Sequence, residues 1–124
     1  MSTAEHPAGT SGRILAFAGG LCGAAGVALS AAAVHLGGSF VGTAASFLLM
    51  HAPVFVAVGL CGGNLGLRAG SLILLVGLLL FSGDLLARDF LGSRLFPMSA
   101  PIGGTLLIAG WLVIAVSALF QRRS

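Results

Sequence analysis

Four ionisable side chains stand within or at the ends of long apolar stretches: His35, His51, Asp84 and Arg88. A charge inside a membrane-crossing segment is costly, so each such group is a functional candidate until a structural reason for it is found. His51 is the most informative, because it falls near the middle of an apolar run with Pro53 two residues further on. A proline inside a helix removes one N–H and frees the carbonyl a turn earlier, which predicts a polar niche within a turn of the imidazole. A histidine titrating near neutrality can relay protons in such a place. The plainer expectation, and the preferred one, is a neutral imidazole hydrogen-bonded to a neighbouring helix, since such bonds are ordinary glue between membrane helices. Asp84 and Arg88 are four residues apart with the acid first, the favourable order for an ion pair along one helix face. Their simplest role is a self-neutralising pair near a helix end, with Arg88 reaching towards the interface. The sharper alternative is a gating or ion-coupling carboxylate at Asp84 that meets His51. His35 ends the first apolar run and reads as an interfacial anchor.

The remaining chemistry is sparse. The sequence contains no HExxH, GxSxG or phosphate-cradling Walker loop and no paired intramembrane aspartates, so no catalytic residue is assigned and an enzyme is not expected. No cofactor site is read, and Gly62-Gly63 and Gly103-Gly104 are read as turns and close packing. The two cysteines, Cys22 and Cys61, lie in apolar stretches without the spacing of a metal site, and are expected to be buried thiols acting as small apolar side chains. The net charge of +3 comes from six arginines against Glu5, Asp84 and Asp89, with no lysine. Only Arg122 and Arg123 are adjacent, which gives no basic face for nucleic acid.

These side chains need elements to position them, and composition dictates which. The chain has 124 residues, 57% of them apolar and only 7% charged. A water-soluble domain carries about 25% charged residues, so the solvent for this surface is the lipid bilayer. Residues 1–12 are small and polar and read as a disordered tail. Residues 13–121 read as one all-α domain, an integral membrane bundle of four transmembrane helices at about 14–34, 42–62, 70–87 and 101–120. Each run is close to the ~20 residues that cross a hydrocarbon core of ~30 Å, and none shows the polar face of a soluble core helix. The glycine-rich segments 35–41 and 63–69 are turns. The mixed segment 88–100 is expected to lie in the interface, and Pro101 suits a first helical position. Arg13, the first apolar run and Ala31-Ala32-Ala33 also have the layout of a signal peptide, but the run exceeds the usual ~7–15 apolar residues, so a retained helix is preferred.

Helix one carries Gly19, Gly20, Gly23 and Gly26 beside a small-residue stripe at Ala16, Gly20, Ala24, Ala28 and Ala32. Such faces let backbones approach closely where lipid removes the hydrophobic drive, either inside one bundle, the preferred reading, or between copies. Trp111 lies too deep for an interfacial belt, so its indole N–H is expected to find a partner within the bundle. Arginine bias places Arg13, Arg68, Arg122 and Arg123 on one side and Arg88 and Arg94 on the other, which predicts both termini in the cytoplasm.

Several stretches carry a resemblance. LFSG at Leu80–Gly83, PIGGTLLIAGW at Pro101–Trp111, His35 at the end of helix one and His51-Ala52 together resemble the domain-of-unknown-function 423 family, the YgdD-like small membrane proteins of the bacterial inner membrane. The similarity covers most of residues 13–120. It implies a small multi-helix membrane protein and supplies no catalytic residues. Asp84 and Pro53 depart from the family pattern, so a role built on Asp84 would be particular to this chain. The expected function is that of a structural or accessory membrane protein, as a homo-oligomer or in a larger membrane complex. A small proton- or ion-coupled transporter or channel using His51 and Asp84 is the alternative.

Overall fold

The computed structural model of the chain describes residues 9–37 and 39–120. It contains four helices, α1 (Thr10–Leu36), α2 (Ser39–Cys61), α3 (Leu65–Leu91) and α4 (Ser99–Leu119), and no strand among the described residues. All four are long and apolar enough to span a membrane. Even α4, with 21 residues, exceeds the ~30 Å core at ~1.5 Å per residue. The fold is therefore the expected all-α membrane bundle.

The helices outrun their apolar runs, α1 and α3 the most. α3 starts at Leu65 because Asn64 caps it, its side chain accepting from the Leu67 N–H at 2.7 Å. A side-chain oxygen there satisfies one of the orphan donors of a first turn. The helix then runs through Arg88 and Asp89 to Leu91, where Gly92 takes the left-handed conformation (φ 77°). Much of the segments expected as turns at 35–41 and 63–69, and the first part of the segment expected at the interface from Arg88, is thus helix. α1 begins at Thr10, so residues 10–12 of the expected tail form its first turn, while residues 1–8 lie outside the described residues.

The helices pair in chain order. α1 packs on α2, α2 on α3 and α3 on α4, with no backbone approach of α1 to α4 among the described residues. α2 and α3 form the centre, and in the most apolar stretch of each 44% is buried, against 22% for α1 and 17% for α4. Both outer pairs close on glycine. Gly12, Leu15, Gly19, Cys22 and Gly26 make the buried stripe of α1, spaced alternately three and four apart, which keeps one seam turned to the partner helix. A Cβ at Gly59 would stand 2.5 Å from the Gly12 carbonyl oxygen, and one at Gly19 would stand 2.9 Å from that of Ala52. On the other pair, a Cβ at Gly77 or Gly103 would stand 2.8 Å from the carbonyl oxygen of the other, and Gly70 and Gly110 oppose each other at 3.1 and 3.0 Å. Backbones this close gain dispersion contacts that lipid cannot match.

The α1 stripe is offset from the small-residue stripe expected from sequence. Gly19 and Gly26 are buried against α2 and Gly23 lies 3.6 Å from the Ala52 methyl, counted from an added Cβ. Gly20, Ala24 and Ala28 are exposed, and Gly20 has open space beside it. The reason is angular: Gly20 is one residue, or ~100°, around the helix from Gly19. The cysteines divide in a similar way. Both are free thiols; Cys22 sits in the seam, whereas Cys61, the last residue of α2, is exposed rather than buried.

Candidate functional site

α2 and α4 both lean on α3 without packing backbone to backbone, and side chains bridge the space above it. His51, buried at 2% exposure, is the deep member. Its Nε2 accepts from the Trp111 indole N–H at 3.1 Å, and its Nδ1 stands 2.8 Å from the Phe47 carbonyl oxygen. An indole N–H can only donate, so Nε2 carries no proton and Nδ1–H donates to Phe47. The tautomer follows from the partners, and both ring nitrogens are used. Phe47 stacks on the imidazole with centroids 6.0 Å apart and touches Phe81 at 4.7 Å, which closes an aromatic cluster over α3.

Pro53 does not supply the polar niche expected beside His51. α2 continues unbroken through it, and Pro53 is exposed. Two residues turn a helix by ~200°. Pro53 and Leu49, whose carbonyl it frees, therefore lie across the helix from the imidazole.

Asp84 is fully buried in the last third of α3. Its Oδ1 accepts from the Leu95 N–H at 2.9 Å and from the Ser99 hydroxyl at 2.7 Å, while Oδ2 faces the Arg88 guanidinium at 3.0 Å. The carboxylate thus ties the α3–α4 connection to α3. It grips both sides of Met98, a non-glycine residue in the left-handed region (φ 68°), a conformation that costs about 1–2 kcal/mol. Arg88 also lies over the Phe40 ring at 5.3 Å, a favourable place for a cation. No hydrogen bond or ion pair joins Asp84 to His51 among the described residues. His35 is exposed in the last turn of α1, near the left-handed Gly37.

One acid escaped the sequence reading. Asp89 Oδ2 accepts from the Val41 N–H at 2.8 Å and so caps the first turn of α2 from another helix. A signal existed: an acid in the last turn of a helix opposes that helix's own dipole, and an external partner resolves the conflict. Ser99 gave no such signal, because its role depends on how the connection folds back. Among the described residues no group of three or more metal-binding side chains comes together.

Fold and buried polar pairs together define a small multi-pass helical membrane protein. The chain belongs to the DUF423 family, described as a protein of unknown function, whose profile matches residues 22–104. It is 32% identical over 117 residues to a UPF0382 membrane protein of Haemophilus influenzae, covering 90% of this chain and 94% of that one. A UPF0382 membrane protein of Staphylococcus epidermidis is 30% identical over 78 residues, 61% of this chain and 64% of its own length. No solved structure matches the chain. The family resemblance read from the sequence is thereby borne out.

Proposed function

We propose that the protein is a structural or accessory component of the bacterial inner membrane, acting through packing rather than through catalysis or transport. The observation that carries this reading is that the two buried ionisable side chains within the helices, His51 and Asp84, are held by partners of the protein itself. Both nitrogens of His51 are engaged, by Trp111 and Phe47. Asp84 is engaged by Leu95, Ser99 and Arg88. A proton relay needs a group that can take a proton and pass it on. Protonating Nε2 would set its new N–H against the indole N–H, so uptake there breaks the bond that joins α2 to α4. The open row of helices, with α1 and α4 largely uncovered, supports assembly with a larger complex or with further copies. Both termini are taken to be cytoplasmic, on the arginine bias.

The test is native mass spectrometry of the protein extracted in native nanodiscs. A second polypeptide at fixed ratio, or a discrete homo-oligomer, is the expected result. A lone monomer, together with proton flux in proteoliposomes that is lost in His51→Ala, would overturn the reading in favour of transport.

A further inference from the structure

The space between α2 and α4 is a groove of about 720 Å³, within the range of formed ligand sites of ~300–1,000 Å³. Its chemistry changes along its length. Arg88, Arg94, Ala100 and Pro101 line one end, where α3 finishes and α4 begins. Met50, Phe81, Gly104, Ile108 and Trp111 line the rest. Trp111 lies 12 residues into α4 from Ser99, or ~18 Å at ~1.5 Å per residue. The groove therefore runs from the membrane surface to about the middle of a ~30 Å core, the depth of one leaflet.

We infer that this groove binds an anionic phospholipid, the headgroup phosphate resting on Arg94 and Arg88 and an acyl chain lying along Phe81, Ile108 and Trp111. The charge balance at the mouth favours an anion. Asp84 neutralises one arginine through Oδ2, and Asp89 is turned to the start of α2 through Val41. Arg94 is exposed and has no ion pair or hydrogen bond among the described residues. Arg88 keeps a buried Nε without a hydrogen-bond partner. The positive end of the α4 dipole, at Ala100 and Pro101, adds to the same field. Arginine presents a planar fork that can bind phosphate in a bidentate fashion. Below the mouth the wall is mostly apolar and aromatic, its polar members His51 and Thr105 being bonded to Phe47, Trp111 and Pro101, and it opens to the bilayer, which suits an acyl chain better than a polar peptide. The inference stands apart from the accessory role proposed above.

Two variants test it without disturbing the core. Arg94→Gln alters an exposed, unpartnered side chain. Gly104→Leu fills the groove, because the nearest atom to an added Cβ there is Phe81 Cδ1 at 4.0 Å. The readout is lipid retained in native mass spectra of detergent-purified protein given equal phosphatidylglycerol and phosphatidylethanolamine. The wild type should retain phosphatidylglycerol about 10-fold better, corresponding to ~1.4 kcal/mol. Arg94→Gln should erase most of that preference, Gly104→Leu should lower retention of both lipids, and Arg13→Gln, at the opposite end of the bundle, should change nothing. Equal retention of the two lipids by the wild type, or an unchanged preference in Arg94→Gln, overturns the inference. So does a wild-type dimer without lipid that Gly104→Leu dissociates, since a second copy would then fill the groove.

Discussion

Removing the Asp84 carboxylate should loosen the α3–α4 connection before it loosens anything else. Asp84→Ala deletes two hydrogen bonds to a charged acceptor, from Leu95 and Ser99, each contributing ~1.5–3 kcal/mol. It also strands Arg88. Breaking a sealed ion pair costs ~3–5 kcal/mol, but the Arg88 side chain is 24% exposed and can swing to the headgroups, so that part shrinks greatly. Leu95 is itself exposed, so its freed N–H finds water or headgroups and recovers part of its bond. The expected loss is about 3 kcal/mol. Asp84→Asn should lose about half as much. Its one oxygen can serve Leu95 and Ser99, with the amide N–H₂ set against Arg88, or serve Arg88 with the N–H₂ set against the Leu95 N–H. Neither orientation satisfies both sides. Unfolding by SDS titration from mixed micelles gives the free energies, with Trp111 as the intrinsic fluorophore. Trypsin cleavage after Arg94 gives the local effect, which should accelerate in Asp84→Ala while the helices stay intact. A variant within 0.5 kcal/mol of wild type (a threshold of ordinary surface substitutions) and cleaved at the wild-type rate would refute the clamp.

Other consequences follow from the packing. Gly59→Ala, whose Cβ would stand 2.5 Å from the Gly12 carbonyl oxygen, should separate α1 from α2 at a cost of roughly 2–3 kcal/mol, while Gly20→Ala should be neutral or slightly stabilising in the same SDS titration. Trp111→Phe removes the donor to His51 Nε2; thermal unfolding should report a loss of ~0.6–1.7 kcal/mol, the usual span for bonds between membrane helices. Asp89→Ala uncaps α2 at Val41 and should cost about 1 kcal/mol, read by faster hydrogen exchange in the first turn of α2 alone. A membrane-impermeant maleimide should label Cys61 and not Cys22, and only from the cytoplasmic side; labelling from the outside of intact cells would reverse the proposed orientation.

What the sequence determined by itself was the solvent and the class of element. Four apolar runs of about 20 residues with 7% charge overall read as helices in lipid, because a helix satisfies its backbone groups within the segment and a barrel needs at least ~8 alternating strands. The Asp84–Arg88 pairing was legible too, since residues four apart share a helix face whatever the fold. Helix ends were less legible, because hydropathy marks the membrane core while caps such as Asn64 and the left-handed Gly92 set where the helix stops. Tertiary structure alone decided the partners. Periodicity placed small residues on α1 but left open which stripe faced α2, and the ~100° between Gly19 and Gly20 separates a buried glycine from an exposed one. His51 was recognisable as costly, yet its tautomer depends on Trp111, 60 residues away in sequence. Ser99 and Asp89 act on groups of other elements, Asp84 on α3 and Val41 on α2. Local sequence encodes how each helix forms in lipid; which side chains meet depends on the order in which those helices lie side by side.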